Sequence, residues 1–367
     1  MSTHPQTEVN PMGSSAPVLD DLSVFLVAGR VKNPAVALTE GEDAERLGLC
    51  TAYLSERYDL KEAGAVLGGV AARTSRITVG TGVIATGSRH PLLTVALACT
   101  MQGMYGNRFI LGLGRSQAEY LRGQSIDATS LKAFADYVDI LRRLMHGETV
   151  SYDGPAGRFD ALRVADLPAA GPAPIWSVIR GGPLASRVAA RVADGVMLQP
   201  FITPDATRQA VTWIREERVR LGLDPAIRIC VPLVAACELD DVETLALTKS
   251  RMVTYIQMKS FADSYAKING WSRTPMTAVQ QHPQFNRLDR ATADQVFHRS
   301  QLLEPAALVP DEWMDEAAAI GSPEVCVRKI QEYKDAGADE IALYGSTPAQ
   351  NESLIAAWRA HRSAALV

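Results

Sequence analysis

The sequence predicts an α/β fold, a closed (β/α)8 TIM barrel with a large insertion after its seventh strand. The first observation is that eight short β-rich runs alternate with longer helical patterns from Leu22 to His361. The second is that helix-ending glycines or Asp/Asn turns precede many of these runs, as at Gly48 and Gly337. Strands that each lead into a helix favour a parallel sheet, and eight strands close a barrel. A doubly wound open sheet is the alternative, although nothing in the chain indicates its switch point.

The predicted strands are short and rich in branched apolar residues. Turn residues bound each of them and so separate the strand from its neighbouring helices. In chain order the strands are predicted at Leu22–Ala28, Thr51–Ser55, Ile77–Gly80, Phe109–Leu113, Ile175–Ile179, Val196–Leu198, Ile227–Ala235 and Glu340–Leu343.

The predicted helices follow the strands, and several of them open on proline. Proline suits the first helical turn because an N–H at that position would have no partner within the helix. The helices are predicted over Pro34–Leu47, Lys61–Thr74 and Ser130–His146, from Pro91, Pro183, Pro204 and Pro323 onward, and over Pro348–His361.

One stretch, residues 238–322, interrupts the alternation after the seventh strand. It has a helical pattern from Asp241 to Lys259 and then becomes irregular, with several prolines. Its eight Lys and Arg against twelve Asp and Glu account for the formal net charge of −4 of the chain. An insertion here lies on the face where barrel enzymes carry their catalytic groups. Both a lid or substrate wall and an oligomer contact are consistent with it.

The remaining length fits a single barrel. Residues 1–17 are polar and rich in Ser, Thr and Pro, which predicts a disordered tail. Without this tail and the insertion, 265 residues remain, close to the roughly 250 of an ordinary barrel. We therefore expect residues 18–367 to form one domain that contains the mostly helical 238–322 insertion.

Composition narrows the class of protein. The chain is 47% hydrophobic and 21% charged, as ordinary globular proteins are. A net charge of −4 gives no general attraction to nucleic acid, and the longest apolar run, Leu92–Met101, is too short to cross a bilayer. The N-terminus lacks signal-peptide features, and the five cysteines form no CxxC pair. We expect a cytoplasmic protein that binds a small molecule rather than nucleic acid or membrane.

Arginines follow the first five predicted strands. In a barrel, residues that follow the strands gather at one face, and guanidinium groups suit phosphate and carboxylate. The pattern therefore indicates an anionic ligand. The alternative is that some of these arginines pair with neighbouring acids such as Glu56 or Asp59. The five are Arg30, Arg57, Arg89, Arg115 and Arg180.

Two glycine motifs lie at predicted strand ends. Arg180-Gly-Gly-Pro183 places two glycines before a helix, which favours an anion site built from free backbone N–H groups, although a plain tight turn fits equally well. Gly80-Thr-Gly-Val83 closes the third strand, and its two glycines predict unusual backbone geometry. Gly112-Leu-Gly-Arg-Ser-Gln117 lacks the third glycine of a dinucleotide fingerprint, and no metal-binding or hydrolase motif is present.

In their order along the chain, these motifs resemble the bacterial luciferase-like family, and within it the branch that depends on the deazaflavin coenzyme F420. The resemblance covers Leu22 to about Pro200 and the last two units, whereas the insertion shows none. The matching segments are Ala44–Gly48, Ser55–Arg57, Thr74–Ile77, Gly80–Val83, Arg89–Pro91, Asn107–Gly114, Gly181–Pro183 and Ala193–Gly195.

The resemblance implies a (β/α)8 barrel that binds F420, or alternatively FMN, at the C-terminal ends of the strands, and it implies a homodimer. It places a non-prolyl cis peptide between Gly82 and Val83, behind the cofactor ring, and the cofactor phosphate at Gly181 and Gly182. The cofactor-binding residues implied in this way are Thr81, Gly82, Val83, Gly114, Arg115, Arg180, Gly181, Gly182, Pro183 and Gln199.

The resemblance also defines where this chain departs from F420-dependent sugar-phosphate dehydrogenases. Glu56-Arg57 occupies their acid–histidine pair, and Gln117 occupies the place of their catalytic glutamate. Neither Arg57 nor Gln117 exchanges protons near neutral pH. Arg57 is then expected to stabilise a developing negative charge or to position the cofactor, and Glu56 or His90 is left as the proton carrier.

The sequence is consistent with three functions. The resemblance favours an F420-dependent oxidoreductase that moves a hydride between the deazaflavin and an organic substrate. The first alternative is an FMN-dependent monooxygenase, which requires a partner flavin reductase. The second is a barrel that binds a flavin without turnover. No motif in the chain indicates the substrate.

Overall fold

Eight parallel strands form a closed barrel in the computed structural model, which describes residues 17–58, 61–288 and 291–364. Nearly all of the predicted tail, and Asp59, lie outside these residues. All eight predicted strands are confirmed, with ends that differ by a few residues. They are β1 (Leu22–Phe25), β2 (Thr51–Leu54), β3 (Thr78–Thr81), β4 (Phe109–Gly114), β5 (Ile175–Val178), β6 (Gly195–Met197), β7 (Arg228–Cys237) and β8 (Glu340–Tyr344).

Each strand pairs with the next strand along the chain, and β8 returns to β1. The closing pair aligns Leu22 with Ile341 and Val24 with Leu343. β7 lies between β6 and β8, so the ring has no gap. The open-sheet alternative is therefore wrong, and the C-terminal ends of all eight strands surround one mouth.

Eight helices pack around the barrel, each after its strand. Four of them, α3, α5, α6 and α7, have proline in the first turn, as the sequence predicts. They are α1 (Val36–Arg46), α2 (Ala63–Arg73), α3 (Pro91–Tyr105), α4 (Leu131–Met145), α5 (Pro183–Val192), α6 (Pro204–Arg220), α7 (Pro323–Asp335) and α8 (Glu352–Ala364). None of the helices in the described residues combines the length and apolarity that a bilayer crossing needs.

Four smaller elements were not predicted. Ile84–Ala85 adds a short parallel pairing to β4, and a 3-10 turn follows at Thr86–Ser88. A six-residue helix, Ala118–Gly123, follows β4 at the mouth. Strands Val150–Gly154 and Gly157–Leu162 form an antiparallel hairpin after α4. The hairpin is mostly exposed, so it lacks the apolar alternation that signals a strand.

The segment 238–322 folds as a chain of short helices and ends in a strand, Ala318–Gly321, that extends the barrel sheet beside the end of β7. A stacked aromatic pair, Trp271 and Trp313, with ring centroids 4.7 Å apart, joins its two halves. The helices are Asp241–Leu247, Lys249–Ile256, Lys259–Asn269, Arg273–Gln280, Ala293–Val296, Leu303–Ala306 and Asp311–Ala317, with 3-10 turns at Pro283–Arg287 and Arg299–Gln301.

Close packing explains the glycines of β3 and β4. A Cβ added at Gly80 would lie 2.8 Å from the Tyr53 ring, and one at Gly82 would lie 2.7 Å from the Phe25 ring. Neither glycine has positive φ, so the predicted unusual backbone geometry is wrong, and crowding by aromatic rings is the cause. At Gly112 the approach is closer still, because a Cβ would lie 1.8 Å from the Thr81 carbonyl oxygen.

Candidate active site

A cavity of about 250 Å³ opens at the C-terminal mouth of the barrel. Seven of the eight barrel strands contribute to its wall by their last residues or by the residue that follows, β7 contributes Pro232 from its middle, and the insertion covers one side. The strand contributors to this wall are Phe25, Ser55, Gly82, Gly114, Ser177, Met197, Pro232 and Tyr344. The cavity therefore lies where barrel enzymes place their chemistry.

Two arginines on the β4–β5 side of the cavity carry no carboxylate partner within the described residues. Arg115 donates to the Thr129 carbonyl at 3.1 Å, and Arg180 donates to the Ser260 carbonyl at 2.9 Å. Burial lowers the pKa of both, and the charge of Arg180 lowers the pKa of Arg115 further. Arg180 also lies over the Phe261 ring, 4.9 Å from its centroid. Two partly buried like charges without an ion-pair partner in the described residues form a site that an anion would stabilise.

The N-terminus of α5 follows these arginines in the chain. Gly181 has φ +80°, a conformation that favours glycine, and Gly182 is the N-cap and makes no side-chain cap bond. A Cβ added at Gly182 would meet nothing within 4 Å, so there is open space beside this turn. The first N–H groups of the ten-residue helix are thus available to an anion.

The Gly82–Val83 segment forms the floor on the β3 side. Gly82 donates its N–H to Leu54 at 2.8 Å, and its carbonyl accepts from the Ser55 hydroxyl at 2.7 Å. No peptide bond in the described residues is cis, so the expected cis bond between Gly82 and Val83 is wrong. These hydrogen bonds are satisfied in the trans form, which has the lower intrinsic energy for a non-proline residue.

Ser177 is a wall residue whose buried hydroxyl group lacks a hydrogen-bond partner in the described part of the chain. Its side chain is 1% exposed. Gly114 and Val178 lie beside it, and a Cβ at Gly114 would approach Val83 to 3.0 Å and the Val178 carbonyl to 3.5 Å. An unpartnered buried hydroxyl is costly unless a ligand satisfies it, so Ser177 indicates a bound polar group.

Glu56 lies in the wall after β2, but its carboxylate is engaged. It accepts a hydrogen bond from Arg89 and another, of 3.3 Å, from the Ala63 N–H. Arg89 also binds Glu62, and ion pairing with both carboxylates outweighs burial and raises the pKa of Arg89. Arg89 therefore belongs to this structural ion pair, as the acid-pairing alternative predicts, and is not part of an anion site.

Arg57 is the second wall residue after β2, and it meets a carboxylate from the insertion. Asp294 binds both Arg57 and Arg251, the latter at 3.0 Å. Burial raises the pKa of Asp294, but the attraction of Arg251, Arg57 and Lys61 outweighs it and keeps the pKa below its usual value. Asp294 is therefore ionised near neutral pH and fastens the helix Ala293–Val296 across the mouth.

Two tyrosines complete this side of the cavity. Tyr344, the last residue of β8, accepts a hydrogen bond of 2.7 Å from Arg251. Its hydroxyl also lies 3.0 Å from that of Tyr255, which comes from the insertion. Phe25 packs edge-on against Tyr344 with centroids 5.1 Å apart. Two phenol groups thus face the cavity in a fixed arrangement.

Several predicted site residues do not form the cavity wall. His90 is the N-cap of α3, where its Nδ1 accepts from the Leu92 N–H at 3.2 Å, and its ring contacts Phe159 of the hairpin. Thr81 is buried and exchanges two hydrogen bonds with Gly112 between β3 and β4. Arg30 is exposed and binds the Gln295 carbonyl. His90 therefore lies outside the described cavity wall, and its Nδ1 caps α3.

Of the other predicted residues, Gln117 and Gln199 do lie in the wall. Gln117 precedes the helix Ala118–Gly123 as its N-cap. Gly181, Gly182 and Pro183 lie at the turn beside the wall, whose next contribution is Ala185 of α5. The structure thus brings together Glu56, Arg57, Gln117, Gly82, Val83, Gly114, Arg115, Arg180 and Gln199.

The sequence did not single out Ser177, Tyr344, Tyr255, Arg251 or Asp294. Ser177 and Tyr344 lie within or at the end of predicted strands. Catalytic residues of barrel enzymes lie at the C-terminal ends of the strands, so this position was a signal by which both could have been predicted. The other three come from the insertion, where no motif marks them. In the described residues no group of three or more His, Cys, Asp or Glu is arranged to hold a metal ion.

A flavin-type cofactor with a phosphate fits these residues. Arg115, Arg180 and the N-terminus of α5 would hold the phosphate, and the Gly82–Val83 floor together with the Ser177 hydroxyl would meet the ring system. The family model described as luciferase-like monooxygenase matches residues 18–340. The chain belongs to this family.

Relatives within the luciferase-like family were found by sequence. The chain is 26% identical to the F420-dependent glucose-6-phosphate dehydrogenase of Mycobacterium avium over 75% of each chain. It is 24% identical to a putative coenzyme F420-dependent oxidoreductase of Mycobacterium tuberculosis, over 89% of this chain and 94% of the relative.

A solved structure confirms the luciferase-like fold. The F420-dependent tetrahydromethanopterin reductase of Methanopyrus kandleri superposes with a TM-score of 0.78 at 19% identity, over 94% of this chain and 99% of the other. The agreement extends over nearly the full length of both chains. It therefore includes the region of the insertion as well as the barrel.

Proposed function

We propose that this protein is an F420-dependent oxidoreductase that transfers a hydride between the deazaflavin and an organic substrate. The observation that carries the proposal is the anion site of Arg115, Arg180 and the α5 N-terminus beside the orphaned Ser177 hydroxyl. The sequence relatives that carry F420 in their names support this choice of cofactor. When bound, the deazaflavin supplies the redox chemistry.

The residues of this chain would bind and orient the cofactor and shield it from water. Arg115 and Arg180 neutralise the phosphate, and the open turn at Gly182 lets the backbone approach it. Gly82 and Val83 support the ring from behind, and the insertion covers the mouth through the Arg57–Asp294 contact. A covered mouth strengthens the electrostatic interactions within it.

The sugar-phosphate dehydrogenase mechanism is not proposed for this chain. Arg57 and Gln117 cannot exchange protons near neutral pH. Glu56 is held by Arg89, and His90 caps α3. A proton donor from another part of the wall is therefore required.

An FMN-dependent monooxygenase is the alternative, because the same anion site suits the phosphate of FMN. That reaction needs reduced flavin from a partner reductase. A titration with both cofactors separates the two proposals, whereas a barrel that binds a flavin without turnover is separated from both by the absence of turnover.

We also propose that the protein is a homodimer that pairs through α2 and α3. α3 carries no charged residue over fifteen positions, yet Leu93 and Met104 on it are 61% and 64% exposed. α2 lies beside it and is uncharged until its last residue, Arg73. An uncharged apolar face made of two adjacent helices is self-complementary about a two-fold axis, which favours a second copy of the chain as its partner.

Fluorescence quenching with F420 and with FMN tests the proposed cofactor. We expect F420 to bind at least about tenfold more tightly than FMN, a difference of about 1.4 kcal/mol. Gly182→Leu fills open space and should weaken F420 binding by at least about tenfold without affecting the fold. Arg187→Leu, on the exposed side of the same helix, is the matched control. Tighter binding of FMN, or unchanged binding in Gly182→Leu, would contradict the proposal.

A further inference from the structure

The hydroxyls of Tyr255 and Tyr344 have one hydrogen more than the protein can accept. Together they carry two O–H hydrogens, and the 3.0 Å contact between them uses one. Arg251 also donates a hydrogen bond to the Tyr344 oxygen. In that bond the tyrosine oxygen is the acceptor, so neither tyrosine hydrogen is used. Within the described residues neither hydroxyl has another partner. One phenolic hydrogen is therefore left to point into the cavity.

Arg251 fixes this pair and strengthens it as a donor. Its guanidinium is almost fully buried, binds Asp294 at 3.0 Å and lies 5.2 Å from the centre of the Tyr344 ring. A cation that donates to a phenol oxygen draws electron density from it, so the hydrogen bonds along the chain reinforce one another. The pair is thus held in place in the wall of the same cavity that Gly82 and Val83 line.

The other titratable groups of the wall are less suited to give a proton. Glu56 and Asp294 are bound to arginines, and guanidinium groups hold their protons at any ordinary pH. Lys61 is 1% exposed and donates to the carbonyls of Val27 and Gly29. Tyr120 also lines the wall, and its ring stacks on Tyr58 with centroids 5.5 Å apart. Among the described wall residues named above, the Tyr255–Tyr344 pair is a phenol group with a hydrogen that no protein acceptor takes.

We propose that the Tyr255–Tyr344 pair, oriented by Arg251, is the proton donor to a carbonyl or imine at the reacting carbon of the substrate. This inference rests on the proposed function and names its substrate class. As a hydride with its electron pair reaches the carbonyl carbon from the reduced deazaflavin, the π bond opens toward oxygen. That oxygen takes the proton of the pair, and the O–H electrons remain on the phenolate, which is reprotonated from solvent. The carbonyl becomes an alcohol, and the deazaflavin is oxidised by two electrons.

The experiment uses acetophenone labelled with ¹³C at its carbonyl, bound to the protein with oxidised F420, so that no turnover occurs. Isotope-difference infrared spectra report the carbonyl stretch, which a hydrogen-bond donor lowers. We expect a lower frequency in the wild type than in hexane, at least half of the shift lost in Tyr344→Phe, and all of it lost in Tyr255→Phe/Tyr344→Phe. Arg251→Lys should retain part of the shift. The rate of acetophenone reduction by reduced F420 should fall by about 10²–10⁴-fold in the double variant.

Tyr265→Phe is the control, because Tyr265 lies in the same aromatic cluster and its hydroxyl donates to the Pro200 carbonyl. It should keep the wild-type band. Absence of a shift in the wild type, or the same shift in the double variant, overturns the inference. F420 titration of each variant is run in parallel: failure of F420 to bind the wild type overturns the proposed function, whereas normal F420 binding with an unchanged band overturns this inference alone.

Discussion

Gly112 shows at the residue scale how tightly the barrel is closed beside the candidate site. The backbone of β3 passes so near that Thr81 both donates to the Gly112 carbonyl at 2.7 Å and accepts its N–H at 2.8 Å. These two bonds hold β3 against β4 directly below Gly82 and Gly114. The two strands that support the cavity floor are therefore joined one residue before Gly82 and two residues before Gly114.

Replacement of Gly112 is expected to destabilise the whole barrel. A Cβ there would lie 1.8 Å from the Thr81 carbonyl oxygen, and a backbone atom cannot move aside cheaply. Gly112→Ala should lower the free energy of unfolding by at least about 3 kcal/mol, the upper end of ordinary overpacking. Urea denaturation measures this loss.

Gly68→Ala is the matched control, because a Cβ on this α2 residue meets nothing within 4 Å. Alanine is the better helix former, so this variant should gain about 0.5–1 kcal/mol. A Gly112→Ala protein as stable as the wild type would show that the strands can separate here.

At the scale of elements, a buried carboxylate joins α5 to α6. Glu217 of α6 binds Arg191 of α5 at 2.8 Å and Arg220 of its own helix at 2.7 Å. Hydrogen bonds from Arg220 and Arg191 lower the pKa of Glu217 to about 2. α5 carries the proposed anion site at its N-terminus, so this ion pair helps to position the site.

The pH dependence of this contact follows from the direction of the shift. A carboxylate whose pKa is lower in the folded state stabilises the fold above its unfolded pKa of about 4.3, and the contribution disappears as pH falls toward the folded value. Glu217→Gln should therefore be less stable than the wild type at pH 7, and the difference should vanish between pH 4 and pH 2. Urea midpoints across this range test it. Glu216→Gln, on the exposed side of α6, should show no such pH-dependent difference.

The helix Ala293–Val296 is held over the mouth chiefly by Asp294. Asp294→Asn removes the negative charge that binds Arg57 and Arg251. We expect amide hydrogen exchange over residues 291–302 to become several-fold faster, because local opening no longer breaks these ion pairs. Asp263→Asn, which removes a half-exposed carboxylate elsewhere in the insertion, should leave that segment unchanged. Equal exchange in both variants would show that Asp294 does not fasten the helix.

The elements that the sequence predicted are those with a local physical signal. The eight barrel strands are buried apolar runs between turn residues, and prolines mark four of the helix starts. The exposed hairpin at Val150–Leu162 carries no apolar alternation, so it was not foreseen. The site residues also differ in how far the sequence predicts them. Arg115 and Arg180 directly follow predicted strands, so their place at the mouth could be predicted. Arg251 and Asp294 reach the mouth because the insertion folds back over it, which no local sequence signal indicates.

On the surface of the molecule, α2 and α3 together present an uncharged face. Leu93→Arg should convert the proposed dimer into a monomer. A two-fold interface would bring the new arginine close to the same arginine of the second subunit, and two buried like charges repel each other. Light scattering coupled to gel filtration measures the mass. Val242→Arg, equally exposed but on the insertion, should leave the dimer intact. A wild-type protein that is already monomeric at micromolar concentration would refute this interface.

We propose above that the mouth of the barrel binds F420 in a defined orientation. The most direct measurement is a crystal structure of the protein with F420 bound. We expect the phosphate against Arg115, Arg180 and the N-terminus of α5, and the deazaflavin ring between the Gly82–Val83 floor and the Tyr255–Tyr344 pair. A cofactor bound away from this mouth, or a site filled by FMN when both are supplied at equal concentration, would contradict it.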